Sequence, residues 1–168
     1  SLEEGYRARF ITPQTGKVGL ACRVKLYGEH SLRPLAAALT VAYELGMSDD
    51  EITASLTQIT PYPGRMNVLP GQRQTTIIDD SYNSSPLAVK AALKTLYEIP
   101  TTQRIAVLGS MNELGEMSET AHREVGELCD PRKLDMVITV GDQAEKYLAP
   151  AAQARGCQVT SFKTALEA

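Results

Sequence analysis

From about residue 75 onward, short apolar runs alternate with amphipathic stretches, and this alternation constrains the fold more than any other feature. The apolar runs lie at 75–78, 104–108, 136–140 and 157–162, and the helical stretches between them lie at 86–97, 118–129 and 142–155. Such an order predicts an α/β fold with a mostly parallel sheet that carries helices on both faces. Pro150 falls inside the third helical stretch and should kink that helix or split it in two.

The chain before residue 60 has a different pattern. Extended runs at 6–12 and 18–27 flank a turn at 13–16, and two helices follow, one over 32–45 and one starting at a capping box of Ser48 and Glu51. Residues 60–72 then hold three prolines and two glycines. This stretch is the predicted domain boundary, with one domain over 1–59 and a second over 60–168.

Composition excludes several functional classes. The chain has 17 Lys and Arg against 20 Asp and Glu, a net charge of -3, which is typical neither of a basic nucleic-acid binder nor of a disordered polyelectrolyte. No apolar run approaches the roughly 20 residues of a membrane span, and no basic segment followed by an apolar one indicates a secretory signal. The three cysteines lack C-x-x-C spacing and the two histidines lack metal-ligand spacing, so we expect reduced thiols, a cytoplasmic location and no metal site.

An acidic turn follows the first strand of the regular part. Asp79 and Asp80 leave the apolar run, and Ser85 with Pro86 is typical of a helix N-cap and first turn. In open α/β sheets, ligands bind beyond the carboxyl ends of the strands. A carboxylate here can accept hydrogen bonds from ribose hydroxyls or hold a cation. The alternative is an ordinary strand-to-helix turn in which Asp79 or Asp80 caps backbone amides.

Two further strand ends carry weaker signals. The loop at 107–116 contains Gly109 and Gly115, which suggest a close backbone approach, but it is not a G-x-G-x-x-G fingerprint and a plain loop is the alternative. After the next strand, Asp142 and Glu145 have capping spacing, which indicates a structural role.

The remaining candidate residues provide no clear signal of a catalytic or binding site. His122 lies on a predicted helix and is expected to be solvated or locally hydrogen-bonded, and no cysteine has a visible base partner. The chain has no G-x-x-x-x-G-K-[ST] loop, so it can hold only part of an ATP site. We therefore predict no catalytic residue within this chain.

Several of these pieces together resemble the Mur ligases. They are GRM at 64–66, IIDDSYNSSP at 77–86, LGSMNELGE at 108–116, and His122 four residues before Gly126. Their order and spacing match the C-terminal, Rossmann-like domain of that family over about 60–162. Residues 18–59 resemble the end of the family's central domain, where a G-x-H segment, here Gly28 to His30, precedes an Ala-rich helix.

The resemblance implies an activity. Mur ligases join a carboxylate to an amine with ATP and Mg²⁺ through an acyl phosphate, and these pieces are most like members that add D-alanyl-D-alanine to UDP-N-acetylmuramoyl tripeptide in peptidoglycan precursor synthesis. The family's central domain supplies the phosphate loop, while the C-terminal domain closes the nucleotide site and presents the acceptor. The chain would then be a fragment of a cytoplasmic, monomeric ligase, inactive by itself.

The resemblance also implies roles for single residues. Arg65 matches an arginine that reaches ATP phosphate, and Asp80, with Asp79 as the alternative, matches the aspartate that holds the ribose hydroxyls. The remaining matches are His30 and Ser31 on the ATP side, and Tyr82, Asn83, Ser110 and Glu113 on the acceptor side.

Four positions depart from the family pattern. Ser31 and Pro34 replace two asparagines near the adenine, Ser85 replaces an asparagine, and Ser110 replaces an aspartate. These changes leave two alternatives open. One is a related ligase with a different amino-acid acceptor, and the other is a catalytically silent module that binds a precursor.

Overall fold

The computed structural model describes residues 5–11 and 18–168. The chain forms two compact units, Ser1–Asp79 and Asp80–Ala168. The domain boundary at residue 60 stays a prediction. Within the described residues, no helix is long and apolar enough to cross a membrane.

The first unit begins with an antiparallel pair of strands and two helices. Its elements are β1 (Tyr6–Ile11), β2 (Val18–Val24), α1 (Leu32–Glu44) and α2 (Asp49–Leu56). The predicted capping box is confirmed, because Ser48 Oγ accepts the Glu51 N–H at 3.4 Å and Glu51 Oε2 accepts the Ser48 N–H at 2.8 Å. Apolar side chains from both strands and both helices form one core. The turn predicted at 13–16 lies outside the described residues.

The strand predicted at 75–78 forms but pairs differently from the prediction. It is β4 (Thr76–Asp79), and it pairs antiparallel with β3 (Asn67–Pro70), a strand that the sequence did not indicate within 60–72. Only a short connection separates the two strands, and Gly71 N–H donates to Thr75 O across it at 2.8 Å. So short a connection permits an antiparallel pair, whereas a parallel pair needs a crossover of a dozen or more residues.

The second unit contains the predicted parallel sheet. Its elements are α3 (Pro86–Glu98), β5 (Ile105–Gly109), α4 (Ser118–Glu127), β6 (Met136–Val140), a π-helical segment (Ala144–Leu148), α5 (Ala149–Ala154) and β7 (Val159–Phe162). The strands pair in parallel in the order β5-β6-β7, which confirms the predicted α/β class. The predicted break at Pro150 is also confirmed, because the proline lies in the first turn of α5, directly after the π-helical segment.

All three α-helices of this unit pack into one core cluster. Ala106 and Val137 of the sheet meet side chains of α3, α4 and α5 there. On the other face of β5, Ile105 is 46% exposed and Val107 is 62% exposed. Helical cover on both faces of the sheet is therefore incomplete at β5 in the described part of the chain.

Tyr97 and Arg104 fix the end of α3. The Tyr97 hydroxyl donates to Leu128 O at 3.2 Å and accepts the Asp130 N–H at 3.1 Å, which ties α3 to the end of α4. Burial raises the pKa of Tyr97 to about 12. The Arg104 guanidinium donates to Leu96 O at 3.1 Å and to Ile99 O at 2.6 Å, and so adds hydrogen bonds to carbonyls at the end of the helix.

Cys129 should make the stability of this unit depend on alkaline pH. Its side chain is fully buried, and burial, with a smaller effect of Cys157, raises the pKa of the thiol from 9.0 to about 12. A raised pKa in the folded state contributes stability below pH 9.0, and that contribution is lost as pH rises toward about 12. We expect the free energy of unfolding to fall by about 1.4 kcal/mol between about pH 8 and about pH 10 through this thiol.

The measurement is urea unfolding at several pH values, followed by circular dichroism, for the natural chain and for Cys129→Ala. The variant should have a lower free energy of unfolding at neutral pH. Its free energy of unfolding should also fall less steeply as the pH rises above about 8. The remaining slope should come from groups such as Tyr97, whose pKa is also raised. Equal slopes in the two proteins would contradict this assignment.

Candidate functional site

The acidic turn lies where one compact unit ends and the other begins. Asp79 ends β4, opposite Asn67 in the hairpin, and Asp80 opens the second unit. Both aspartates are half-buried. The helix that follows is capped by Ser85, whose Oγ accepts the Ala88 N–H at 3.3 Å, as the sequence predicted. The N-cap of α3 is therefore Ser85, and neither aspartate is needed there.

The segment between this turn and α3 presents two of the predicted acceptor residues. Tyr82 is 68% exposed, and Asn83 is also exposed. The Asn83 Oδ1 accepts the Ser84 N–H at 2.8 Å, an intraloop bond that leaves the amide nitrogen of the side chain as a donor. An aromatic ring and an amide are thus displayed side by side, just before the first turn of α3.

Arg65 lies in a tight turn of the first unit. Its neighbours Gly64 and Met66 have φ angles of 72° and 49°, and the Arg65 N–H donates to Tyr62 O at 2.9 Å. Met66 is buried whereas Arg65 is exposed. The turn therefore anchors the chain through Met66 and presents the arginine side chain at the surface.

His30 and Ser31 lie together in a single 3-10 turn, Glu29–Ser31, that leads into α1. The Ser31 hydroxyl donates to Tyr27 O at 2.5 Å, and His30 is exposed. Pro34, which replaces a family asparagine, lies in the first turn of α1, where the missing N–H of a proline is tolerated. The proline fits the helix start, although it supplies no side-chain amide.

Ser110 joins the carboxyl ends of two parallel strands. Its N–H donates to Val140 O at 2.9 Å, and its Oγ accepts the Ala144 N–H at 3.1 Å. The amide at the start of the π-helical segment is therefore capped by Ser110 and not by the predicted pair Asp142 and Glu145. Sequence spacing could not show this bond, because its partners are 34 positions apart.

Gly141 is required for this arrangement. Its φ angle is 94°, and a Cβ added there would lie 2.6 Å from Ser110 Oγ. A side chain would be strained by the backbone conformation and would also displace the serine hydroxyl. The strand ends of β5 and β6 thus approach each other closely through one glycine and one serine.

Glu113 lies in the same loop as Ser110, and its backbone is strained. Its φ angle is 62°, in the left-handed region that non-glycine residues rarely adopt, and its side chain is exposed. The structure thus places both acceptor-side residues predicted from this loop at the carboxyl end of the sheet, where ligands of open α/β sheets bind.

His122 is fully buried, so the expectation of a solvated histidine is wrong and that of a locally bonded one is confirmed. Its Nε2 accepts the Met111 N–H at 2.9 Å, and its Nδ1 lies 2.7 Å from Ser118 O. Because the first contact needs an acceptor and the second a donor, we assign the neutral imidazole with its proton on Nδ1. The spacing of Ser118 and His122, four positions apart on a helix, was the only sequence signal of this network.

A groove of about 990 Å³ lies elsewhere in the second unit, between α3, α4 and α5. It is lined by residues that include Leu87, Lys90, Arg123 and Pro150, and none of the predicted site residues lines it. The described residues include no cluster of three or more His, Cys, Asp or Glu that could hold a metal ion. The groove is therefore separate from the residues that the sequence predicts to contact ligands.

The chain is similar in sequence to a known family of ligases. The family described as "Mur ligase, glutamate ligase domain" matches residues 64–168, which is more than half of the chain. The UDP-N-acetylmuramoyl-tripeptide--D-alanyl-D-alanine ligase of Escherichia coli is 33% identical over 134 residues, which cover 80% of this chain and 29% of that enzyme. The chain thus spans about a third of the length of such curated relatives.

The fold is also similar to solved structures of MurF. A crystal structure of MurF from Acinetobacter baumannii superposes with a TM-score of 0.72 at 30% identity, over 88% of this chain and 31% of that one. MurF ligase from Thermotoga maritima, solved in complex with ADP, gives a TM-score of 0.66 at 30% identity over 86% of this chain and 37% of that one. On its sequence and its fold, the chain belongs to the Mur ligase family and carries the family's C-terminal domain.

Proposed function

We propose that the full-length protein is an ATP-dependent ligase that joins D-alanyl-D-alanine to a UDP-N-acetylmuramoyl tripeptide, and that this chain binds the acceptor and helps to close the ATP site. The single observation that carries the proposal is the 33% identity to the E. coli ligase of that name over 80% of this chain. The cell-wall precursor chemistry and the three free cysteines support a cytoplasmic location. We further propose that the enzyme is monomeric and that 60–168 corresponds to its C-terminal domain.

Residues of the first unit would act on the nucleotide. The exposed Arg65 guanidinium has donors in a planar fork that matches phosphate oxygens. His30 and Ser31, in the turn before α1, would contact the same nucleotide. Because the Ser31 hydroxyl already donates to Tyr27 O, it would contribute to the site as an acceptor.

Asp80, at the start of the second unit, would accept hydrogen bonds from the ribose hydroxyls. Bound ATP supplies the phosphoryl group that converts the tripeptide carboxylate into a better electrophile.

The sequence contains no phosphate loop of the Walker type, so the chain itself would hold only the periphery of the nucleotide. Mg²⁺ remains a cofactor expected for the full-length protein, and we assign none of the described residues to it.

The acceptor would bind at two exposed segments of the second unit. Tyr82 and Asn83 lie before α3, and Ser110 and Glu113 lie after β5. Glu113 carries a negative charge that suits the amino group of the dipeptide. By holding that amine near the reacting carbonyl, these residues would reduce the entropic cost of the step, in which nitrogen attacks the acyl carbon and phosphate leaves.

The departures from the family pattern motivate a second candidate, a ligase of the same mechanism with another amino-acid acceptor. Two of the departures have structural explanations, because Ser85 caps α3 and Ser110 caps the π-helical segment. A third candidate is a silent precursor-binding module.

An acceptor panel separates the three candidates. The full-length protein is supplied with ATP, Mg²⁺ and UDP-N-acetylmuramoyl tripeptide, and phosphate release is measured with D-alanyl-D-alanine or with single amino acids, L-glutamate among them. We expect release to depend on D-alanyl-D-alanine. Dependence on a different amine would support the second candidate, and precursor binding without phosphate release would support the third.

A further inference from the structure

We propose that His122 is a positioning residue that holds the loop after β5 in the shape in which Glu113 meets the amine acceptor. The inference rests on the proposed function, since it assigns a task to a residue that does not itself touch substrate. His122 is fully buried, so its action must pass through the groups that it bonds.

The loop is anchored on both sides of its exposed tip. Met111 is 2% exposed, and its N–H donates to His122 Nε2 at 2.9 Å. On the far side, Leu114 packs against the core cluster of the second unit. Asn112 and Glu113 lie between these anchors and are exposed. The histidine thus fixes the point at which the loop leaves the core.

The strain in the loop shows that its shape is imposed. Glu113 has a φ angle of 62°, and a non-glycine residue in the left-handed region costs about 1 kcal/mol or more. Such a conformation persists only where surrounding contacts hold it. On the N-terminal side of Glu113, the bond from Met111 N–H to His122 ties the loop to α4, and on its C-terminal side Leu114 O accepts the Met117 N–H at 3.1 Å. Without the bond to His122, the loop could relax and carry Glu113 to a new position.

His122 is itself held by Ser118, which also contacts the neighbouring strand end. The Ser118 carbonyl oxygen lies 2.7 Å from His122 Nδ1, and the Ser118 hydroxyl donates to Gln143 Oε1 at 3.2 Å. Gln143 follows β6 directly after Gly141 and Asp142. One turn of α4 therefore connects the loops after β5 and β6, the two places where a ligand of this sheet would bind.

Two amide substitutions separate the two bonds of the imidazole. In His122→Gln, the side-chain oxygen can reach the position of Nε2 and accept the Met111 N–H. In His122→Asn, the shorter amide can replace the Nδ1 donor to Ser118 O but cannot reach Met111. The pair is matched in charge and polarity, and each variant keeps one of the two bonds. A defect in His122→Asn that His122→Gln lacks therefore reports the bond to Met111, whereas the reverse pattern reports the bond to Ser118.

The first readout is the steady-state kinetics of the full-length ligase. We expect His122→Asn to raise the KM for the amine acceptor about tenfold, while the KM for ATP changes less than about twofold. In His122→Gln, the KM for the amine acceptor should stay close to that of the unsubstituted protein. A purely structural histidine would instead affect both KM values alike. That result, or a His122→Asn protein that fails to fold while His122→Gln folds, would overturn the proposal.

The second readout is hydrogen exchange of the peptide that covers 108–116 in the same proteins. Exchange in this peptide should be about tenfold faster in His122→Asn than in His122→Gln, because only the former leaves the Met111 amide without its acceptor. Equal exchange would overturn the proposal regardless of which acceptor the enzyme uses. The unsubstituted protein is assayed first with D-alanyl-D-alanine, so a wrong acceptor assignment would be recognised separately.

Discussion

Replacing Asp80 with alanine in the full-length protein should lower kcat/KM for ATP by about 10- to 100-fold. In our account, this half-buried carboxylate accepts hydrogen bonds from the ribose hydroxyls, and bonds to a charged group are worth about 1.5–3 kcal/mol. Each 1.4 kcal/mol corresponds to about a tenfold change in affinity. The KM for ATP should carry most of the effect, and α3 should keep its N-cap, because Ser85 and not Asp80 caps that helix.

Asp79→Ala is the matched control for this prediction. The two aspartates are adjacent and half-buried, but Asp79 is the last residue of β4 and pairs with Asn67. We expect a small kinetic effect from its replacement. A large loss in Asp79→Ala alone would transfer the ribose contact to that residue. If neither variant changes the KM for ATP, or if Asp80→Ala no longer melts cooperatively, the turn has a structural role and the proposed nucleotide contact is wrong.

Gly126→Ala should destabilise the second unit by about 2 kcal/mol, although alanine is the better helix former. A Cβ at this position would lie 2.5 Å from Leu148 O and 2.7 Å from the Ala151 Cβ, so α4 would have to move away from the segment that packs on it. Alanine gains about 1 kcal/mol over glycine in a helix, whereas overpacking costs about 1–3 kcal/mol and more where backbone must shift. Because the first obstacle is a backbone carbonyl, we expect the steric cost to exceed the gain.

Urea unfolding of the 168-residue chain gives the free energy that checks this prediction. Gly109→Ala is the matched control, because a Cβ at Gly109 would meet nothing within 4 Å and its φ angle is not in the left-handed region. The control should have nearly the stability of the natural chain. A Gly126→Ala protein as stable as that control would show that α4 can shift freely, contrary to the close packing described above.

The elements of the second unit were predictable because their signals are local. Ser85 and Pro86 mark the start of α3, and the apolar run at β6 is short and uninterrupted. Local patterns were therefore sufficient to predict both elements. The break at Pro150 follows from its ring and its missing N–H. The pairing of β4 was not predictable in this way, because an apolar run of four residues fits an antiparallel hairpin as well as a parallel sheet.

The candidate site was predictable only as a set of positions. The resemblance identified Arg65, Asp80, Ser110 and Glu113, but it did not show that the Ser110 hydroxyl caps a neighbouring segment. The role of His122 was also hidden, since its partner Met111 lies 11 positions away on a loop without regular structure. Such contacts depend on how strand ends meet in space, which periodicity does not encode.

Isotope-labelled acceptor tests directly whether this protein joins D-alanyl-D-alanine to the tripeptide. The full-length protein is incubated with ATP, Mg²⁺, UDP-N-acetylmuramoyl tripeptide and isotope-labelled D-alanyl-D-alanine, and the product is analysed by mass spectrometry while released phosphate is counted. We expect a muramoyl peptide that carries one labelled dipeptide for each phosphate released. Phosphate release without incorporation of label, or no reaction of the tripeptide under conditions in which it binds, would contradict this expectation.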